Sequence, residues 1–568
     1  METLKEIDKN LTICKIPATV QEIKDIALLC CNNLESIECD SDYFKTIDGV
    51  LFTADYKTLV RYPPKKNGTD YAVPDSVTNI GRSAFRDCKF LENIILPDSL
   101  INIGESAFWN CKSLQDITLP DSITKICGGT FGNCQSLKKI KLPNSLTEIG
   151  YDAFTYCKAL QEIDLPNTVT EIDNGIFSNC SSLCRINIST SLKYIPQYAF
   201  FLCPKLKRIT LPDSIKHIKR CAFSRCEFLR EIKLSEGLID IDYDAFGSCK
   251  SLNEIELPNG IESINDEAFS WCESLETITL PNSIKNIGRG VFKHCKSLET
   301  IECNNENYYT IDGVLFDKKE KKLIGYPEGL TERKYVIPDG ILVVGEYAFV
   351  SCRDLEEIIL PDSVHTLENR AFESCSSLKS IKLPNQLHSI APAAFKGCWS
   401  LKSIECDSPF FKSIDGVLFT ADLKTLVCYP QGRFCENYII PDSVTNMSER
   451  AFSSDFSRSC ERITLPKSLI EFNTKTFCFH ESLKWIECDN EHYKSIDGVL
   501  FTADCKTLVY YPQGREDSQY IIPDTVVKIE TGAFDNTWNL HKIIVPKGRM
   551  EEFIKMFPED YEYKLVEA

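Results

Sequence analysis

Leu91-Glu92-Asn93-Ile94-Ile95-Leu96-Pro97-Asp98-Ser99, followed by Ala107-Phe108 and Cys111, decides how the rest of the chain is read. Leu114 to Pro120, Leu137 to Pro143 and Leu160 to Pro166 repeat its first half. Phe131/Cys134, Phe154/Cys157 and Phe177/Cys180 repeat its second. The prolines at 74, 97, 120, 143 and 166 stand 23 residues apart. A fixed period of this size marks a stacked array of one small unit. In L-x-x-I-x-L-P the apolar residues point inward and those between them outward, as in a strand. Asp98-Ser99 is the turn that follows, and Leu100 and Ile103 are a second apolar pair. Ser106 to Cys111 is expected to form a single helical or 3₁₀ turn on the far, convex side. One unit cannot bury Leu, Ile, Leu and Phe alone, whereas stacked units cover one another.

Measured from the proline slot, residues 17–545 divide into 21 units: sixteen of 23 residues, four of 34, and one of 25 that starts at Pro441. No linker is left over, so one continuous solenoid is expected. Residues 1–16, with Leu11, Ile13 and Ile16, read as an N-terminal cap. Residues 546–568 read as a C-terminal cap, with a short amphipathic helix carrying Phe553, Ile554 and Phe557 and a last strand at Lys564-Leu565-Val566. The long units, 40–73, 304–337, 407–440 and 489–522, share I-D-G-V-L-F and a second β-rich run. Around a polar turn such as Thr53-Ala54-Asp55-Tyr56 these read as a β-hairpin insert that replaces the convex turn. The constant residues are core types, so the insert is read as a brace for the stack. A projecting recognition element is the alternative.

With 568 residues, 43% apolar and 26% charged, the chain is too long for one ordinary core and too apolar for disorder. A net charge of −18 argues against nucleic acid as a partner. No apolar run reaches the length of a membrane span. Met1 to Asp8 is charged throughout and lacks a leader's apolar segment. A cytoplasmic location is therefore expected, with the cell surface or secretion by a non-standard route as the alternative.

The pattern L-x-x-I-x-L-P-[DN]-S-[LIV]-x-x-I-x-x-x-A-F-x-x-C-x-x-L resembles the BspA-like leucine-rich repeat family across residues 17–545, and the I-D-G-V-L-F insert is similar to that family too. The resemblance implies an α/β leucine-rich-repeat solenoid, a right-handed superhelix with a parallel β-sheet on its concave face. It also implies a non-enzymatic role in binding proteins, often matrix proteins, at a microbial surface.

Fourteen of the 28 cysteines fall in one slot, three residues after the Phe slot, from Cys31 to Cys398. Cys39, Cys303, Cys406 and Cys488 replace the inward leucine of a strand. No two cysteines are three apart, so no metal site is expected, and equivalent Cβ vectors in a stack run parallel rather than toward each other, which disfavours disulfides. The expectation is a column of buried free thiols. Ser76, Ser99, Ser122, Ser145, Thr168 and Ser214 form a second column whose hydroxyls are placed to bond turn backbone. Neither a zinc-protease motif nor a nucleotide loop is present. His294-Cys295 and Cys478-x-His480 lie in adjacent slots, which do not converge as a nucleophile and base must. No catalytic residue and no cofactor is expected.

The outward strand positions remain. Asp116, Lys139, Lys141, Glu162, Asp164, Arg185, Arg208, Glu231, Lys233, Glu254 and Glu256 alternate in sign in patches, with Trp485 as the one aromatic. They are the candidate site of a scaffold that recognises a protein of unknown identity through the concave sheet. A surface adhesin for matrix proteins or other cells is the alternative.

Overall fold

The computed structural model describes residues 2–29, 31–452, 459–557 and 559–568. The chain forms two compact units, residues 1–310 and 311–568.

In the first unit each 23-residue coil has three sides. On the first, strands such as Asp116–Thr118 and Lys139–Lys141 lie parallel, residue i facing residue i+23. The central Ile of each is buried and its two neighbours are exposed, the alternation a pleated strand imposes. The second side is a two-residue strand, as at Asn102–Ile103 opposite Asn79–Ile80, a second sheet the sequence showed only as an apolar pair.

The third side is not helical. It is a run of turns, apart from short 3₁₀ segments at Asp25–Leu28 and, in the second unit, Thr474–Phe477. Two residues four apart in each run take a left-handed backbone, Ser106 (φ 55°) with Asn110 (φ 64°) and Asp152 (51°) with Tyr156 (58°). Such residues interrupt a right-handed helix. Alternate amides then point out of the coil: Phe85 donates to the Ala107 carbonyl at 2.7 Å, Phe108 to Thr130 and Phe131 to Ala153 at 2.8 Å. Hydrogen bonds that a helix would keep inside one coil join it to the next.

Inside, rings from Phe85 to Phe292 stack in a single column, with centroids 5.0–6.1 Å apart and planes within 15°. Beside them the thiols form a ladder. Cys111 donates to the Phe85 carbonyl at 3.0 Å, Cys134 to Phe108 and Cys157 to Phe131 at 3.2 Å, and the series runs on to Cys295 and Phe269 at 3.1 Å. The serine column ties turns to the coil before them, as where Ser99 donates to the Asp75 and Val77 carbonyls, both at 2.8 Å, whereas the Ser214 hydroxyl is buried without a hydrogen-bond partner among the described residues.

The insert at 40–73 holds three strands. Phe44–Ile47, Val50–Thr53 and Thr58–Arg61 pair antiparallel in order. Asp48 and Gly49, at φ 49° and 75°, make the tight first turn. Thr58–Arg61 then joins the second sheet beside Asn79–Ile80, and Tyr62 enters the ring column, 5.2 Å from Phe85. The third side is therefore kept, with Tyr in the Phe slot, and the added residues sit between the first and second sides. Val50, Leu51, Phe52 and Leu59 are fully buried. At the N-terminal end Glu2–Leu4 pairs with Val20–Ile23, and Ile13–Ile16 with Ser36–Cys39. Ile16 is buried, whereas Leu11 and Ile13 are exposed.

The second unit repeats the plan. Ser380–Lys382 faces Ser403–Glu405, and Phe349, Phe372 and Phe395 continue a ring column. The inserts at 407–440 and 489–522 place Tyr429 and Tyr511 against Phe452 and Phe534, at 5.1 and 5.3 Å. Six residues of the 25-residue unit, 453–458, lie outside the described residues. The chain ends with the helix Met550–Ile554 and the strand Leu565–Glu567, which pairs with Lys542–Val545. Phe553, Phe557 and Leu565 pack with Phe534, Leu540 and Ile543.

Candidate binding face

The predicted site residues fall on the first-strand side of the first unit, in two exposed rows, apart from Trp485. Asp116 faces Lys139, Glu162 faces Arg185 and Arg208 faces Glu231 in one row. Lys141, Asp164 and Lys233 stand in the other. Alternating sign becomes ion pairing across the stack: Arg185 to Glu162 at 3.2 Å and to Asp164 at 3.7 Å, Arg208 to Glu231 at 3.1 Å, Lys139 to Glu162 at 3.9 Å. Exposed pairs of this kind contribute about 0–1 kcal/mol each, so the rows add little to stability. Lys141, Lys233, Glu254 and Glu256 have no ion-pair partner among the described residues.

The first-strand ladder is broken between Lys139–Lys141 and Glu162–Asp164, between Arg185–Asn187 and Arg208–Thr210, and on both sides of the last two of these residues. Glu254-Ile255-Glu256 pairs with neither Glu231–Lys233 nor Thr277–Thr279. A groove of about 450 Å³ lies on one side, lined by Glu231, Lys233, Glu236, Glu254 and Glu256. One of about 350 Å³ lies on the other, reaching Thr277 and Thr279. The other sides of the same coils stay closed: Asp240–Ile241 pairs with Ser263–Ile264, and Phe246 stacks on Phe269 at 5.3 Å. The serine column has gaps here that could have been read in the sequence. Gly237 and Gly260 occupy its slot. A Cβ on Gly260 would lie 3.2 Å from the Leu238 carbonyl and 3.6 Å from that of Glu236, the equivalents of the two acceptors Ser99 uses. The groove thus combines a missing tie with four carboxylates and one lysine.

Trp485 is placed differently. It is half-buried beneath the insert turn Asp497-Gly498, where a Cβ on Gly498 would come within 2.6 Å of its ring. The guanidiniums of Arg462 and Arg515 lie 5.0 and 6.0 Å from its ring centroid. Sequence reasoning also gave too little weight to apolar outward residues. Ile95, Val336, Ile359, Ile439 and Ile521 are exposed on the first or second strand after an insert. In three inserts the Asp-Gly turn sits against the preceding first strand, where Gly49, Gly416 and Gly498 accept from the amides of Ile37, Ile404 and Ile486 at 2.9–3.0 Å. The first-strand sheet is interrupted at these places.

A family model described as the BspA type leucine rich repeat region (6 copies) matches residues 6–64, 64–183, 102–230, 221–336, 331–431, 433–516 and 513–557. The chain belongs to the BspA-type leucine-rich repeat family. Among solved structures it is similar to a leucine-rich repeat protein from Bacteroides ovatus, at 26% identity over 78% of this chain and 96% of that one, with a TM-score of 0.47. It is also similar to a leucine rich cell surface protein from Faecalibacterium prausnitzii (22% identity, 91% and 98% covered, TM-score 0.32). A third is the pneumococcal vaccine antigen PcpA (17%, 85% and 86%, 0.25). A search of curated protein sequences finds no match.

In this BspA-type chain the slots that suggested thiol chemistry serve packing. Cys295 is buried in the ladder, and the ring of His294 rests 4.1 Å from that of Trp271. His480 takes a ladder position, fully buried, with both ring nitrogens unpartnered among the described residues. Burial lowers its pKa to about 4. No described helix is long and apolar enough to cross a membrane.

Proposed function

We propose that this chain is a non-catalytic scaffold that recognises a protein through the first-strand face, with the opening at Glu254-Ile255-Glu256 as its centre. One observation carries the reading: the sheet opens where unpaired carboxylates converge, on a frame held rigid by ring, thiol and backbone ladders. An acidic groove with open strand edges favours an extended, basic segment of the partner, and the flanking rows of both signs set its register. In this reading the face is the concave side of a right-handed superhelix. Residues 17–545 are its solenoid, and residues 1–16 and 546–568 are its caps. Asp116, Lys139, Lys141, Glu162, Asp164, Arg185, Arg208, Glu231 and Lys233 form the flanks, while Trp485 serves the insert beside it.

The test is affinity capture with the wild-type chain, followed by binding of the captured partner to two variants, Glu254→Lys with Glu256→Lys, and Lys139→Glu with Lys141→Glu. At least one pair should weaken binding tenfold or more, with melting unchanged. Normal binding by both, with loss in the exposed insert variant Lys57→Glu, would move recognition to the inserts; Arg61, expected to share that face, is instead buried and donates to the Ser83 carbonyl. A microbial surface adhesin is the second reading, supported by the family. Cell fractionation separates it from an intracellular scaffold.

A further inference from the structure

Two cysteines outside the ladder face each other across a strand pair. Cys435 opens the strand Cys435–Ile439 and Cys460 opens Cys460–Thr464, and in the parallel register of these strands each is the other's partner. Neighbouring strands stand about 4.8 Å apart, within the Cα separation of about 4.4–6.8 Å that a disulfide spans, so closing the bond requires only that the parallel Cβ vectors of these two strand ends turn toward each other. Cys435 is half-buried, so solvent reaches it, and Cys460 is fully buried behind it. The hydroxyl of Tyr429, 3.2 Å from the Cys435 sulfur, is the third member of the cluster. The Arg433 carbonyl lies 3.4 Å from the same hydroxyl.

From this geometry we infer that Cys435 and Cys460 form a redox-active pair, in which Cys435 reacts with a hydroperoxide and Cys460 resolves the product to a disulfide. In the first step the Cys435 thiolate attacks one peroxide oxygen and the O–O bond breaks. The departing alkoxide or hydroxide takes a proton, and Cys435 becomes a sulfenic acid, oxidised by two electrons. In the second step the Cys460 sulfur displaces hydroxide from the Cys435 sulfur. The S–S bond forms, and the Cys460 proton leaves with the hydroxide as water. Two thiols and one hydroperoxide thus give a disulfide, an alcohol (or water) and water.

The ladder thiols provide the contrast. They are fully buried, each donates to a carbonyl, and burial pushes Cys134 up to about 12 and Cys157 and Cys180 well above their ordinary value. Its contacts with Cys460 and then Tyr429 hold the Cys435 thiol below its ordinary value, against the opposing effect of burial. Oxidation would fasten the strand carrying the exposed Ile439, which closes the long unit 407–440, to the one after it.

The experiment treats the reduced, full-length protein at neutral pH with one equivalent of hydrogen peroxide, blocks remaining thiols and maps tryptic peptides. The expected main product links peptide 434–450 to peptide 459–462. In Cys460→Ser, dimedone should trap a sulfenic acid on Cys435 instead, and in Cys435→Ser both signals should vanish. Iodoacetamide labelling of Cys435 in the untreated protein should reach half its maximum below pH 9, the ordinary thiol value. Melting curves of both variants check that they fold. If wild-type Cys435 stays unmodified while exposed Cys184 takes the oxidant, or if Cys435 is oxidised without linking to Cys460, the inference is overturned.

Discussion

At the residue scale the thiol ladder does two things: it fills the space beside the ring column, and it makes the fold sensitive to alkali. A free thiol ionises near pH 9, whereas burial holds Cys134 at about 12 and pushes Cys157, Cys180, Cys203 and Cys226 well above their ordinary value. Folded-state values raised in this way give stability that is complete below pH 9 and is lost as pH climbs from there toward the folded values. The melting temperature should therefore fall progressively as pH climbs from 9 toward 12. The fall should be shallower in Cys134→Ala with Cys157→Ala, and a flat profile would contradict the buried ladder. Reducing agent should leave melting unchanged, since the ladder thiols Cys111, Cys134, Cys157, Cys180, Cys203, Cys226, Cys249 and Cys272 each donate to a backbone carbonyl. His480 sets the opposite edge. Its folded value, about 4, lies below the ordinary 6.5, so its contribution is lost as pH falls from 6.5 toward 4. His480→Cys restores the ladder residue and should raise melting at pH 5 more than at pH 7.5. An equal shift at both would mean that the imidazole is not held neutral.

At the scale of the element, the strand L-x-x-I-x-L-P and the inward Leu, Ile and Phe were legible, because alternation and period state them directly. The third side, expected as one helical or 3₁₀ turn, is 3₁₀ only at Asp25–Leu28 and Thr474–Phe477 among the described coils. Its left-handed residues are Ser, Asn, Asp, Tyr and Glu as often as Gly, so composition gives no sign of the break, and the amides that leave the coil find partners only in the stacked array. The insert reads in the sequence as a hairpin of two runs, Thr46 to Phe52 and Lys57 to Pro63. Its extra strand, Phe44–Ile47, was missed because its pairing is fixed by the Asp48-Gly49 turn rather than by its own alternation. The groove was missed for a different reason. The serine column was seen, but Gly237 and Gly260 were not read as gaps in it. Gly260→Ser should return the hydroxyl to the Glu236 and Leu238 carbonyls and add about 0.5–1.5 kcal/mol of hydrogen bonding, less the cost of seating a Cβ at 3.2 Å. Hydrogen exchange at residues 254–256 should slow and binding of the captured partner should weaken. Faster exchange at these amides would show that the missing tie is not what holds the groove open.

For the whole molecule, repetition makes stability cooperative between neighbours and leaves the ends exposed. Deleting residues 546–568 removes Phe553, Phe557 and Leu565 from the cluster they share with Phe534, Leu540 and Ile543. Losses of about 2–5 kcal/mol per large buried side chain should unfold the last coils, seen as lower melting, faster proteolysis from that end, or aggregation. A soluble truncation with wild-type melting would make the segment an appendage. The central claim, recognition through the opened first-strand face, is tested most directly by hydrogen-exchange mass spectrometry of the complex with the captured partner. The account predicts protection concentrated at residues 231–233, 254–256 and 277–279, with the strands of the inserts unchanged. Protection confined to the insert turns, with exchange at 254–256 as fast as in the free protein, would contradict it.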